Sequence, residues 1–114
     1  MLKLQGTVCI DAPIEKVWEV LSHLESIQLG VPAIRHASCP GQRRGVGAVR
    51  VCGLEQATIH ETIVAWEEGR SFTCRGEGAL MMKSARNTWT ATAQDGRTLL
   101  MSLAEVELNP PAGR

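Results

Sequence analysis

The sequence predicts an α+β domain in which an antiparallel sheet of about seven strands receives two short helices after its first strand. Three observations predict it. Leu2, Leu4, Gly6, Val8 and Ile10 alternate with Lys3, Gln5, Thr7, Cys9 and Asp11, which is the period of a strand with one face buried. Ile14, Val17, Trp18, Leu21 and Leu24 then recur at spacings of three and four, the period of a helix. From Ala33 to Glu107 the chain returns to short runs separated by turn-prone clusters.

The first helix starts at "DAPIEK", where Asp11 or Ala12 can occupy the cap, Pro13 suits the first turn and Glu15 lies where the helix dipole favours an anion. A second helical turn is expected over Ser26 to Leu29, ended by Gly30 and Pro32. The strands expected next are Ala33 to Ser38, Val46 to Gly53, Ala57 to Glu67, Ser71 to Glu77, Lys83 to Ala93 and Thr98 to Glu107. Asp95-Gly96 favours a type I′ hairpin, which would set Arg86 opposite Glu105 and Trp89 opposite Ser102. A turn at Glu55-Gln56 would set Arg50 opposite Glu61, on a face shared with Cys52, Ile59, Ile63 and Ala65. Residues 1–108 read as one domain and 109–114, "NPPAGR", as a tail or linker.

Composition excludes several classes. The 114 residues suit one domain, and twelve basic residues balance twelve acidic ones without clustering, so no nucleic-acid footprint is expected. No apolar run approaches the roughly 20 residues that span a bilayer, and the N-terminus lacks a signal peptide's apolar block, so a soluble cytoplasmic protein without membrane insertion is expected. Cys9, Cys39, Cys52 and Cys74 have no C-x-x-C spacing, and His23, His36 and His60 stand alone, so neither disulfides, a metal nor a cofactor is expected.

The order strand, helix, short helix and six-stranded meander resembles the helix-grip superfamily (SRPBCC) that includes START proteins, the birch-pollen allergen and the polyketide cyclase/dehydratase-like branch. The resemblance lies in "VCIDAPIEKVWEVLSHLESI", "PGQRRGVGAVRV", "HETIVAWEEGRSFT" and "DGRTLL", which together cover nearly the whole chain. It implies a curved sheet that grips a long C-terminal helix around a cavity. Two departures stand out. "IQLGVPAI" replaces the W-x-P segment common in relatives, and the sequence reaches Arg114 where the long helix would begin. A shortened chain, two chains packed face to face, or another cover for the concave face would each account for this, and the expectation here is a homodimer or tighter assembly.

Candidate site residues follow from the strand faces. Glu61, on an otherwise apolar face, could orient a ligand or act as general acid or base, the weak candidate for catalysis; an ion pair with Arg50 is the alternative. His60 points to the other face and cannot form a dyad with Glu61. Trp89, flanked at alternate positions by Ala85, Asn87 and Ala91, suits a cavity wall or ordinary packing, while Met81 and Met82 suit a pocket mouth, an interface or a loop anchor. The ligand-binding set is therefore Arg50, Glu61, Met81, Asn87 and Trp89. The glycines around Arg43-Arg44 lack the Lys-Ser/Thr ending of a phosphate loop, and there is no G-x-S-x-G.

The resemblance implies binding of a small hydrophobic or aromatic ligand such as a lipid, polyketide-like or isoprenoid compound. The alternatives are a polyketide cyclase/dehydratase-type enzyme using Glu61, Arg50 or Asn87, and a protein-interaction or assembly module using the uncovered sheet face. The residues themselves do not decide whether the protein is an enzyme.

Overall fold

The computed structural model describes residues 2–27, 33–77 and 82–108, with Met82 described for its backbone alone. Strand β1 (Leu2–Ile10) leads into helix α1 (Ile14–Ser22) and a 3-10 turn over Leu24–Ser26. Strands β2 (His36–Ser38), β3 (Val49–Gly53), β4 (Thr58–Glu67), β5 (Ser71–Glu77), β6 (Met82–Gln94) and β7 (Arg97–Leu108) follow. All seven form one antiparallel sheet in the order β1-β7-β6-β5-β4-β3-β2, so the meander is joined at its far end by the first strand. Met81, the second expected turn's Leu29, and the expected tail lie outside the described residues.

The hairpins form as their turn residues require. Asp95 and Gly96 both have positive φ, 52° and 77°, as a type I′ turn demands, and Arg86 lies opposite Glu105 with Trp89 opposite Ser102. The β3–β4 turn is closed by Leu54 N–H donating to Ala57 O at 2.9 Å, which places Arg50 opposite Glu61.

Three expectations need correction. The helix cap is Pro13, not Asp11 or Ala12: its carbonyl accepts from Lys16 N at 3.0 Å and Val17 N at 3.2 Å. Ala12 O is instead taken by the Thr98 hydroxyl at 2.8 Å, and Asp11 pairs with Arg97 at 3.4 Å. Ala65 does not share Glu61's face, because the β4–β5 register shifts between Ile63 and Ala65. The extra residue at Val64 turns Ala65 outward and brings Trp66 in, as a β-bulge reverses parity. Finally, β1 forms but its apolar face is not buried. α1 packs on β6 and β7, leaving Leu2, Leu4 and Val8 50%, 58% and 53% exposed.

The core therefore sits on the same face but toward the other end of the sheet, around β4 and β5. Trp18 of α1 meets Trp66 edge-on at 5.3 Å between ring centroids, Trp66 stacks on Phe72 at 5.5 Å, and Leu24, Ile63, Cys74 and Ala48 fill in around them. Aromatic groups in these geometries attract beyond their buried area by about 0.5–1.5 kcal/mol per pair. A strap closes this end: Arg44 chelates Glu68 through Nη2 at 2.7 and 2.6 Å, donates to Ser22 Oγ at 3.1 Å, and lies over the Trp66 ring. Trp18 Nε1–H donates to the same carboxylate. Arg44 and Trp18 together hold Glu68 below the ordinary carboxylate range.

Candidate functional site

Three strands and the 3-10 turn converge on one buried ion pair. Alternation on β3 turns Arg50 and Cys52 inward, alternation on β4 turns Glu61 and Ile63 inward, and β5 contributes Phe72 and Cys74. Arg50 is 2% exposed and Glu61 6%. Arg50 Nε donates to Glu61 Oε1 at 2.9 Å and Nη1 donates to the Leu24 carbonyl at 3.0 Å, which ties the sheet to the turn after α1. The Cys52 thiol donates to Glu61 Oε1 and the Cys74 thiol to Oε2, each at 3.2 Å. The carboxylate is thus met by direct donors and the guanidinium by direct acceptors, the condition under which a desolvated pair is tolerated.

The electrostatics follow from burial. Desolvation acts to lower the Arg50 pKa, but the Glu61 charge and the neighbouring thiols outweigh it and hold the guanidinium above its ordinary value. Burial first, and then the Glu61 carboxylate, push Cys52 and Cys74 each up to about 12. Both are protonated donors at neutral pH, not nucleophiles.

A cavity of about 260 Å³ opens beside this pair. Leu21 and Ile27 wall it on the helical side, Phe72, Trp89 and Leu100 on the sheet side, and Arg50 supplies the charged group. The Phe72–Trp89 wall is a direct cross-strand pair between β5 and β6. Arg50 carries five N–H donors, and its described contacts engage three of them: Nε–H, one on Nη1 to Leu24 O, and one on Nη2 weakly to Cys74 Sγ at 3.8 Å. A second hollow of about 520 Å³ lies on the other side of α1 among Glu19, His23, Arg43 and Arg44. Arg43 there is already paired with Glu25 at 3.0 Å and Arg44 with Glu68, so that hollow offers no unengaged buried charge among the described residues.

Each expected site residue can now be placed. Arg50 and Trp89 line the smaller cavity together. Glu61 lies behind Arg50 with both oxygens engaged by Arg50, Cys52 and Cys74. Asn87 shares the inner face of β6, opposite Cys74 and Ala104 and half-buried. Met81 is outside the described residues. Sequence reading missed Leu21, Ile27, Phe72 and Leu100 as cavity residues. Phe72 could have been found as the sole phenylalanine on an inward-alternating strand, but its pairing with Trp89 depends on a β5–β6 connection without a diagnostic tight turn. Among the described residues, no group of three or more His, Cys, Asp or Glu side chains is placed to hold a metal ion, and no helix is long and apolar enough to cross a membrane.

An antiparallel sheet wrapped on one face around a helix and lined by a cavity is the helix-grip class of protein, with START and birch-pollen-allergen-like members. Within that class, a family profile described as polyketide cyclase / dehydrase and lipid transport matches residues 1–114, and the chain belongs to that family. Solved structures agree on the fold. The Zhui aromatase/cyclase from Streptomyces sp. R1128 superposes with a TM-score of 0.83 at 18% identity, covering 97% of this chain and 70% of that one. A START superfamily protein from Mycobacterium smegmatis gives 0.79 at 15% identity, with 98% and 81% covered. Ginseng major latex-like protein 151 from Panax ginseng gives 0.77 at 21% identity, with 96% and 85% covered. A search of curated proteins found no match.

Proposed function

We propose that this protein binds a small hydrophobic or aromatic ligand, lipid-like, polyketide-like or isoprenoid, that bears an oxygen acceptor. The single observation that carries the reading is a buried guanidinium beside an apolar cavity, with Phe72 and Trp89 as its flat walls and donors beyond those used by Glu61 and Leu24. A cavity of about 260 Å³ suits one or two fused rings better than a long acyl chain, since pockets for drug-sized ligands run from about 300 Å³ upward. Arg50 is the polar anchor, Trp89 and Phe72 the stacking surfaces, and Glu61 the group that positions Arg50. Asn87 lies one step farther along the same face, and Met81 belongs to the segment leading into β6. The cytoplasm is part of the same reading and rests on the sequence.

The test is a fluorescence titration with 8-anilinonaphthalene-1-sulfonate, an aromatic anion. Trp89→Ala and the paired change Arg50→Met with Glu61→Leu, which avoids stranding a buried charge, should each weaken binding about tenfold or more while leaving the far-ultraviolet circular dichroism unchanged. Unchanged affinity in both would remove this cavity from the function.

The family's name favours a second reading, a cyclase or dehydratase-type enzyme acting on a polyketone whose carbonyl Arg50 orients. A linear poly-β-ketone thioester incubated with the protein should then give a dehydrated cyclic product, and Glu61→Gln should lower kcat with KM little changed. Absence of turnover above the uncatalysed rate returns the protein to ligand binding alone. The exposed Leu2, Leu4 and Val8 support self-association of the protein through this part of the sheet.

A further inference from the structure

We propose that two copies of this chain join through their β1 strands, edge to edge about a two-fold axis at Gly6, into one continuous antiparallel sheet. The inference rests on the self-association reading and specifies its geometry. The two edges of the sheet differ sharply. β2 is three residues long, a short edge of the kind that resists pairing with another chain. β1 is nine residues long, contains no proline, pairs in unbroken register with β7 along its whole length, and among the described residues meets no strand on its other side. Alternate backbone N–H and C=O groups along that free side therefore point away from the sheet.

The residue pattern of β1 is self-complementary. In "LKLQGTVCI" the apolar positions are 2, 4, 8 and 10 and the polar ones 3, 5, 7 and 9, symmetric about Gly6. Antiparallel pairing centred there places Leu2 opposite the partner's Ile10 and Leu4 opposite the partner's Val8 on the inner face. On the outer face it places Gln5 opposite the partner's Thr7 and Lys3 opposite the partner's Cys9. This register uses all nine residues and keeps both concave faces on the same side. No like charges meet. The strand's one charged residue, Lys3, already lies opposite Glu105 of β7 within its own chain, so it does not guard the edge against pairing. Neither does α1, which packs on β6 and β7. The side chains that gain neighbours are Leu2, Leu4 and Val8, the most exposed apolar groups of the sheet's inner face apart from Leu108.

The register predicts a specific covalent trap. Cys9 is an exposed free thiol. In the Lys3→Cys variant the introduced thiol lies about 20 Å from Cys9 of its own strand, counting six residues at ~3.3 Å each, too far for a bond within one chain. Across the proposed axis the same two positions face each other at disulfide distance. Mild oxidation should convert most of this variant to a covalent dimer whose linked peptides contain the introduced thiol and Cys9, and adding Cys9→Ser should abolish that species. Sedimentation of the unmodified protein between about 1 and 100 µM should show a dimer, and Leu4→Lys, an inward charge on the edge, should raise its dissociation constant about tenfold or more with the circular dichroism unchanged. A monomer at every concentration overturns both the edge pairing and self-association. A dimer that survives Leu4→Lys and yields no such cross-link overturns the edge pairing alone. Binding of the anilinonaphthalene probe, read on the same samples, reports separately on the cavity.

Discussion

The two halves of this sheet are built from similar alternating strands and yet differ in what covers them. Around β3, β4 and β5 the inner side chains lie under Trp18 and Leu24 and are almost wholly buried, Ile63 and Phe72 at 1% and Cys74 at 0%. Along β1 the same alternation leaves leucines half in water. Alternation specifies which way a side chain points; burial depends on whether another element arrives on that side. α1 is nine residues long; it packs on β6 and β7 and sends Trp18 onto Trp66 of β4 and Phe72 of β5, while Leu2, Leu4 and Val8 of β1 stay exposed, so the described sheet has a packed half and an open half.

The largest way to break the packed half is through its ion pair. Glu61→Ala leaves Arg50 buried without its counter-charge and should cost about 3–5 kcal/mol in urea unfolding. Replacing both partners together, Arg50→Met with Glu61→Leu, should lie close to the parent protein, because the desolvation cost disappears with the pair. Phe72→Ala, which removes the ring between Trp66 and Trp89, should cost about 3–5 kcal/mol.

Alkaline pH probes the same region through its thiols. Cys52 and Cys74 hold their protons up to about 12 in the fold but release them near 9.0 once unfolded. Between those values the unfolded chain binds fewer protons than the folded one, so stability falls as pH rises. Each thiol's stabilising contribution is fully present below pH 9 and is lost between there and about 12 at up to about 1.4 kcal/mol per pH unit. Chemical denaturation at pH 8 and pH 10 should show the drop, and Cys52→Ala with Cys74→Ala should flatten it. In the native protein a disulfide reagent should react quickly with the exposed Cys9 and slowly with the three buried thiols.

The smallest effect belongs to the open half. Leu4→Ser should shift monomer stability by no more than about 0.5 kcal/mol, since little apolar surface is lost from a side chain already in water. A cost comparable to that of Phe72→Ala would show that β1 is covered in solution.

Much of this fold was legible because local chemistry specifies local geometry. Asp95-Gly96 fixes the β6–β7 register, and the turn at Glu55-Gln56 fixes that of β3–β4, so the Arg50–Glu61 pairing could be derived before any coordinates. The bulge at Val64 could not, because Ile63, Val64, Ala65 and Trp66 are all apolar and a change of parity among them leaves no trace in the pattern. For the same reason the convergence of Cys74 with Cys52 on one carboxylate was invisible, since it needs the β4–β5 register. The exposure of β1 was misread because covering a strand is a property of another element's length.

The aromatic groups also give the molecule a built-in optical probe. With three tryptophans and no tyrosine, its ultraviolet emission comes from indoles alone. Trp18 and Trp66 share one environment at 5.3 Å, with the Arg44 guanidinium over the latter, while Trp89 faces the cavity. Light emitted through Trp89 should therefore change when a guest enters, while the coupled pair registers the integrity of the packed end, so one spectrum distinguishes occupancy from unfolding.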